Sequence, residues 1–403
     1  MTITVEKSKA IGKVLAPPSK SVAHRALICG ALTKQSIIKN ISMSKDIEAT
    51  INCLKALGTR IEFLSDDEIL IGGLDLDNVP DGAVLNCNES GSTLRFFIPL
   101  ALLCGKKITF MGAPRLMARP LSVYEEVANQ KGFLFQKSED SITLCGKLRS
   151  GVYEVPGDIS SQFITGLIYA LSQCEGESVI KLTTKLESAS YIDITIGVMK
   201  EFGVNVVKLD DGFKIIGKSF ENREYTVEGD CSNAAFLDAF NLLGGNVEVL
   251  GLNPNTLQGD NVYKEFFSEL KSGKKEFDLT DCPDLAPIMF SLAAMLGGAK
   301  FYGTKRLAIK ESDRASAMAE ELAKFGIKTI INENSVEILS GEIAKPSEIL
   351  CGHNDHRIVM SLATLCMAVG GVISGAETVA KSFPDYFEKI KTLGIGIICN
   401  ETE

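Results

Sequence analysis

The sequence predicts an α/β protein of two similar domains with three small units in each. Two observations carry this. A helical run that ends in glycine and leads into a strand recurs six times, at Ile47 to Leu57 before Gly58, Leu121 to Lys131 before Gly132, Ile192 to Phe202 before Gly203, Val262 to Ser272 before Gly273, Ala315 to Phe325 before Gly326 and Tyr386 to Leu393 before Gly394. The glycines stand roughly 50 to 75 residues apart, too far for a stacked solenoid repeat and suited to a βαβ-type unit with an added hairpin. Each fits the position just past a helix end, where a left-handed backbone is needed. Alternating apolar segments follow, such as Gly203-Val204-Asn205-Val206-Val207 and Gly326-Ile327-Lys328-Thr329-Ile330, and read as strands. The second observation is size: 403 residues, 45% of them hydrophobic, can bury more than one core. Helix, glycine and strand follow one another in any α/β protein, so coincidence is the competing reading of each copy; six copies favour two domains of three units. A divide near Arg223 to Gly229 leaves three glycine-ended helices on each side, with no Pro-rich or Ser-rich linker to mark it.

A formal net charge of -9 argues against nucleic acid or an anionic membrane as partner. Any anionic ligand must be captured by a local positive site. Met1 to Ala10 alternates like a strand rather than a charged-then-apolar leader, and no apolar run reaches the length of a bilayer span, so a cytoplasmic protein is expected. Eleven cysteines are scattered singly from Cys29 to Cys399 without CxxC pairs. They predict reduced, mostly buried thiols rather than a zinc site or a disulfide framework.

Candidate functional residues gather where helices begin. Lys20, Ser21 and Arg25 open the helix that runs on through the apolar stretch Ala26 to Leu32. Unpaired backbone N–H groups, a hydroxyl and two cations suit one anion, and an ordinary capped helix with solvated charges explains the segment equally well. In Asn88 to Arg95 a Ser/Gly/Ser turn lets amides around Gly91 approach an anion, although such turns also cap helices without any ligand. Arg115 and Arg119 precede a helix beginning near Leu121; Pro120 is ordinary chemistry for a helix start, which leaves the two arginines unexplained. Ser160-Ser161-Gln162 sets two hydroxyls and a carboxamide before the helix Phe163 to Leu171, where capping needs only one.

In the second half, Lys310-Glu311-Ser312-Asp313-Arg314 opens the helix Ala315 to Phe325. It is either a solvated helix start or a carboxyl group held between cations that tune its proton affinity. Asn354-Asp355-His356-Arg357 precedes the helix Ile358 to Val369 and holds one of three histidines, and no metal site is expected there. Lys381 to Asp385 leads into the last helix and adds a cation at a helix entrance. Helix N-termini carry positive partial charge, so several of them converging would build an anion trap inside an acidic protein.

Taken in order, Lys20-Ser21 with Arg25, Ser160-Ser161-Gln162, Lys310-Glu311 with Asp313-Arg314, Asp355-His356-Arg357 and Lys381 resemble the 5-enolpyruvylshikimate 3-phosphate synthase family over Pro18 to Pro384. Ser188, Tyr191-Ile192-Asp193 and Pro283-Asp284 fill the gaps between them. The resemblance implies the enolpyruvyl transferase fold, an inside-out α/β barrel: two domains, each of three βαβαββ-like units with helices packed inward. One domain would be 15–226 and the other 227–403 joined by the first strand, 1–14, with substrates in the cleft and the domains closing over them. The implied reaction moves the enolpyruvyl group of phosphoenolpyruvate to the 5-hydroxyl of shikimate 3-phosphate and releases phosphate through a tetrahedral intermediate. That is a step of the shikimate pathway to chorismate and the aromatic amino acids. No metal or organic cofactor is implied, and a monomer is expected.

Carried over by position, Lys20, Ser21, Arg25, Ser160, Ser161, Gln162, Ser188, Tyr191, Asp284 and Lys310 would hold shikimate 3-phosphate. Lys20, Gly91, Arg119, Gln162, Arg314, Arg357 and Lys381 would hold phosphoenolpyruvate, the arginines Arg314 and Arg357 facing its carboxylate. Asp284 would accept the proton of the attacking hydroxyl, Glu311 would deliver one to the methylene carbon, and Lys20 and His356 would assist. Three positions depart from the family pattern: Glu89 stands where many relatives have Asn, Arg306 replaces a frequent Asn, and Phe96 replaces a common Pro after Arg95. Glu89 sets an acid beside the phosphoenolpyruvate pocket, so altered sensitivity to glyphosate, which occupies that pocket in the family, is expected. The related UDP-N-acetylglucosamine enolpyruvyl transferases usually carry a reactive Cys just before the arginine equivalent to Arg119, and Ala113 to Ala118 contains none. Their Lys-Asn pair reads Lys20-Ser21 here. A non-enzymatic descendant would be free to lose Asp284, Glu311 and Lys381, and all three are present.

Overall fold

The computed structural model of the protein describes residues 1–400. The chain divides into two compact units, Pro18–Glu228 and Met1–Pro17 together with the chain from Gly229 onward. Each has its own apolar core.

The unit Pro18–Glu228 is built on three four-stranded sheets of one topology. In the first, Ser36–Lys39 pairs in parallel with Glu224–Thr226 and antiparallel with Glu68–Gly72, which also takes Arg60–Phe63. Val84–Asn86, Ile108–Met111, Ser141–Cys145 and Leu134–Lys137 repeat the pattern. So do Val152–Val155, Glu177–Leu182, Gly212–Ile216 and Val206–Leu209. Behind the sheets lie Lys20–Ala31, Gly91–Ala101 and Ser161–Ser172, three helices buried on nearly every side. A helix that is apolar all round belongs inside a core rather than on a surface. Lys45–Ala56, Ser122–Lys131 and Ala189–Glu201 bury only part of their circumference. Edge-to-face rings lock the inner layer, with Phe96 against Tyr169 at 5.9 Å and Tyr124 against Phe163 at 4.9 Å.

The other unit has two sheets of the same kind. Glu276–Asp278, Ala299–Tyr302, Ser335–Ile338 and Thr329–Asn332 make one. Leu350–Cys351, Gly371–Ser374, Thr2–Val5 and Ile397–Asn400 make the other, so the first strand of the chain completes the last sheet. The remaining sheet has two strands, Ile11–Leu15 parallel to Asn246–Leu250, and lacks the hairpin that the other units carry. That omission is visible in the glycine spacing: Gly273 to Gly326 is 53 residues (326 − 273), whereas Gly58 to Gly132 is 74 (132 − 58). Cys231–Leu242, Ala286–Met295 and His356–Val369 are the buried helices here.

All six helix-ending glycines take positive φ, from 73° at Gly132 to 99° at Gly273. At Gly58 and Gly132 an added Cβ would meet nothing within 4 Å, so the dihedral rather than crowding selects glycine. All eleven cysteines are free thiols, most of them buried.

Candidate functional site

In the unit Pro18–Glu228, Ser19 caps the helix Lys20–Ala31 by accepting from the Val22 N–H. Such a cap contributes about 1 kcal/mol. It also fixes where the next side chains point. The Lys20 ammonium lies 2.8 Å from the Asp46 carboxylate at the start of the following helix. Arg25 is 3% exposed and joins two helices, its Nη1 donating to the Ser21 carbonyl at 2.7 Å, Nη2 to the Tyr191 carbonyl at 2.9 Å and Nε to Thr195 Oγ1 at 2.8 Å. Its guanidinium stands 5.2 Å above the Phe96 ring. Ser188, with φ of 56°, turns the chain into the helix that carries Tyr191.

A second group forms around Gln162. Ser160 caps its helix by accepting from the Gln162 N–H at 3.3 Å, Ser161 follows as the buried first residue, and the Gln162 side chain accepts from Arg95 at 2.7 Å while donating to Ser92 at 3.0 Å. Gly91 opens the helix that carries Arg95, and a Cβ there would come within 2.6 Å of Arg119 Nη1. A side chain at this position would push that guanidinium aside. Burial lowers the proton affinity of Arg25, and burial with the nearby Arg119 pulls Arg95 down to about 9. Among the described residues no carboxylate pairs with Arg25 or Arg95, so their charge is held by neutral acceptors alone.

The other unit answers with carboxylates. Asp284, in a short 3-10 turn before the buried helix Ala286–Met295, receives Arg314 at 2.7 Å, Arg357 at 3.1 Å and Lys310 at 3.3 Å. Burial pushes Asp284 up, but Arg357, Lys310 and Arg314 outweigh it and hold the carboxyl well below its ordinary range. Burial brings Lys310 down to about 8 against the opposing pull of Asp284. Asp355 is fully buried; it caps the helix His356–Val369, accepts from Arg314 Nε at 2.9 Å and from Ser312 at 3.1 Å, and is held low by Arg314 against its burial. Glu311 pairs with His356 Nδ1 at 2.9 Å, and that ring nitrogen lies 4.0 Å from Asp355, the second carboxylate of Arg314.

The expected phosphoenolpyruvate arginines, Arg314 and Arg357, thus both contact Asp284. One placement differs from expectation. Lys381 ends a 3-10 turn, Ala376–Lys381, instead of standing at the entrance of the last helix, and donates to the Asn354 carbonyl at 2.6 Å. Arg115, within the short helix Pro114–Met117, precedes the helix Ser122–Lys131 as expected. Sequence reasoning missed Asp46, Arg95 and Asp355 as site residues. Asp46 reads as one more acid in a helix's first turn, and Asp355 as a cap; only their partners distinguish them.

Two groups bring ligand atoms within 4.8 Å of one another, Glu311 with Asp355 and His356, and Glu320 with Glu321 and His353. In both, carboxylates already accept from protein donors, Asp355 from Arg314 and Glu321 from Lys324. No helix among the described residues is long and apolar enough to cross a membrane.

The architecture is that of the enolpyruvyl transferases. It superposes on EPSP synthase of Acinetobacter baumannii with a TM-score of 0.80 at 22% identity, covering 99% of this chain and 100% of that one. With the enolpyruvyl transferase NikO of Streptomyces tendae the TM-score is 0.76 at 13% identity, over 98% of both chains. The family model of EPSP synthase (3-phosphoshikimate 1-carboxyvinyltransferase) matches residues 5–390, and the chain belongs to that family. It is 39% identical to the 3-phosphoshikimate 1-carboxyvinyltransferase of Clostridium kluyveri over 97% of both chains, and 38% identical to that of Clostridium acetobutylicum over 95% of both.

Proposed function

We propose that this chain is an enzyme that transfers the enolpyruvyl group of phosphoenolpyruvate to the 5-hydroxyl of shikimate 3-phosphate and releases phosphate. The observation that carries the reading is the three-cation hold on Asp284, in a chain of this family, with a second carboxylate, Glu311, paired to His356. One carboxylate poised among cations and another hydrogen-bonded to an imidazole give a base and an acid with different surroundings.

Arg25, Lys310, Ser21, Ser160, Ser161, Ser188 and Tyr191 hold shikimate 3-phosphate in this reading. Arg119, Gly91, Arg314, Arg357 and Lys381 hold phosphoenolpyruvate, and Lys20 and Gln162 serve both. Like charges about 4 Å apart repel by about 4 kcal/mol at an effective dielectric near 20, so two phosphorylated anions meet only where cations offset them. A substrate carboxylate must first take Arg314 and Arg357 from Asp284. That exchange relieves Asp284 of two of its three cations and makes it a stronger base.

Asp284 then takes the proton of the attacking hydroxyl as its oxygen bonds to C2 of phosphoenolpyruvate, and Glu311, helped by His356, gives a proton to C3. In the elimination C3 loses a proton to the Glu311 carboxylate, the double bond re-forms, and the bond from C2 to the phosphate oxygen breaks with its electron pair leaving on the phosphate. We place the enzyme in the cytoplasm as a monomer. Purified protein mixed with phosphoenolpyruvate and shikimate 3-phosphate tests this: phosphate appears only with both present. No release, or release with UDP-N-acetylglucosamine in place of shikimate 3-phosphate, contradicts it.

A further inference from the structure

We propose, given the function above, that Glu321 is a positioning residue of the phosphoenolpyruvate-binding set, acting through the turn Cys351 to Asn354 on which Lys381 and Asp355 depend. Glu321 stands seven residues along the helix Arg314–Lys324 from Arg314, about two turns, and its side chain is 0% exposed. A carboxylate buried so completely must have its lone pairs taken. The Cys351 N–H donates to it at 2.9 Å, His353 Nε2 at 2.8 Å and the Lys324 ammonium at 2.9 and 3.0 Å. Lys324 also reaches the Ile349 carbonyl at 3.3 Å, so one helix grips the chain on both sides of the strand Leu350–Cys351.

The turn so gripped is one that side-chain-bearing residues seldom adopt. His353 and Asn354 are both left-handed, with φ of 48° and 53°. Such a backbone persists where its surroundings over-determine it: the Gly352 N–H donates to the Ser374 carbonyl at 3.0 Å, the Asp355 N–H to the Gly352 carbonyl at 2.9 Å, and Glu321 adds the side-chain tie from the neighbouring helix. What the turn delivers is functional. The Asn354 carbonyl receives Lys381 at 2.6 Å, the next residue, Asp355, receives Arg314, and the helix that follows begins with His356 and Arg357. A single carboxylate therefore couples the helix that starts at Arg314 to the turn that sets Lys381. The hydrogen bond to Glu321 also raises the proton affinity of His353, which favours the charged donor.

The substrate-binding groups this turn reaches, Lys381 directly and Arg314 and Arg357 through Asp355, belong to the phosphoenolpyruvate set, while Ser21, Arg25, Ser160, Ser161, Ser188 and Tyr191 lie in the other unit and Lys310, in the same unit, contacts Asp284. Loosening it should shift one Michaelis constant and spare the other. Steady-state kinetics of the full chain decides this in wild type, Glu321→Gln, His353→Ala and His353→Gln. The KM for phosphoenolpyruvate is expected to rise about tenfold in Glu321→Gln and about threefold in His353→Ala. It should return near wild type in His353→Gln, which restores a donor to Glu321. The kcat and the KM for shikimate 3-phosphate should stay within about twofold throughout. An unchanged KM for phosphoenolpyruvate in His353→Ala overturns the assignment, as do Michaelis constants for both substrates that rise together. Should Glu321→Gln fail to fold, the partly exposed His353 pair decides alone. A wild type that releases no phosphate from the two substrates defeats the proposed function itself, and the role of Glu321 falls with it; an active wild type with unshifted variants defeats only that role.

Discussion

The two units treat charge in opposite ways. In Pro18–Glu228, Arg25 and Arg95 are buried against carbonyls, hydroxyls and a carboxamide. In the other unit, Arg314, Arg357 and Lys310 share the carboxylate of Asp284, and Arg314 also holds Asp355. An arginine on neutral acceptors keeps its field for an incoming anion. One paired with a carboxylate gives up much of that field until the pairing is exchanged. In the proposed reading the first unit captures, the second trades a resident carboxylate for a substrate's, and the second also carries Asp284 and Glu311 as base and acid.

The largest way to break this contrast is Asp284→Asn. It leaves the capturing residues untouched, and turnover should fall about a hundredfold or more, as for loss of a general base; pre-steady-state and steady-state phosphate release measure it, and near-normal turnover would remove Asp284 from the chemistry. Lys20 is the exception on the capturing side, because it carries its own carboxylate at 2.8 Å. Lys20→Ala should cost about a hundredfold in kcat/KM, and Asp46→Asn, which only frees the ammonium from its anchor, about tenfold. Equal losses in the two variants would mean that Asp46 acts directly.

A pH profile sharpens the comparison further. Lys310 is brought down to about 8, chiefly by burial, so its ammonium is charged below that pH and neutral above it. A phosphate that relies on it binds best in the charged form. The KM for shikimate 3-phosphate should therefore begin to climb above about pH 8, by up to tenfold per pH unit, and Lys310→Met should abolish the climb. A wild-type KM that stays flat to pH 9.5, about the upper end of the titration, would show that Lys310 does not meet that substrate. The smallest effect concerns Glu89, a half-buried acid one residue before the capped turn at Ser90. Glu89→Asn should tighten glyphosate inhibition by no more than about fivefold, the size of one partly exposed charge contact. An inhibition constant identical in the two forms removes Glu89 from that pocket.

Much of the fold is legible in the residues because its signals are local. Six helix ends need a left-handed residue and each has a glycine, and the shortened Gly273 to Gly326 interval even records the missing hairpin. The strand Thr2–Val5 alternates as a strand should, yet nothing local says that it pairs with Gly371–Ser374, since pairing is set by surfaces far apart in sequence. The site divides the same way. Lys20, Ser160 and Arg314 announce themselves as polar groups at helix starts. The grip of Arg314 and Arg357 on Asp284 does not, because sequence separations of 30 and 73 residues carry no geometry. Capping disguises Asp355, whose side chain satisfies a backbone N–H group as any cap would.

The exchange at Asp284 is most directly tested by calorimetric binding of phosphoenolpyruvate alone to wild type and to Asp284→Asn. If the resident carboxylate competes with the substrate's for Arg314 and Arg357, the variant binds about tenfold more tightly, roughly 1.4 kcal/mol, even as it loses turnover. Equal or weaker binding by the variant would contradict that competition.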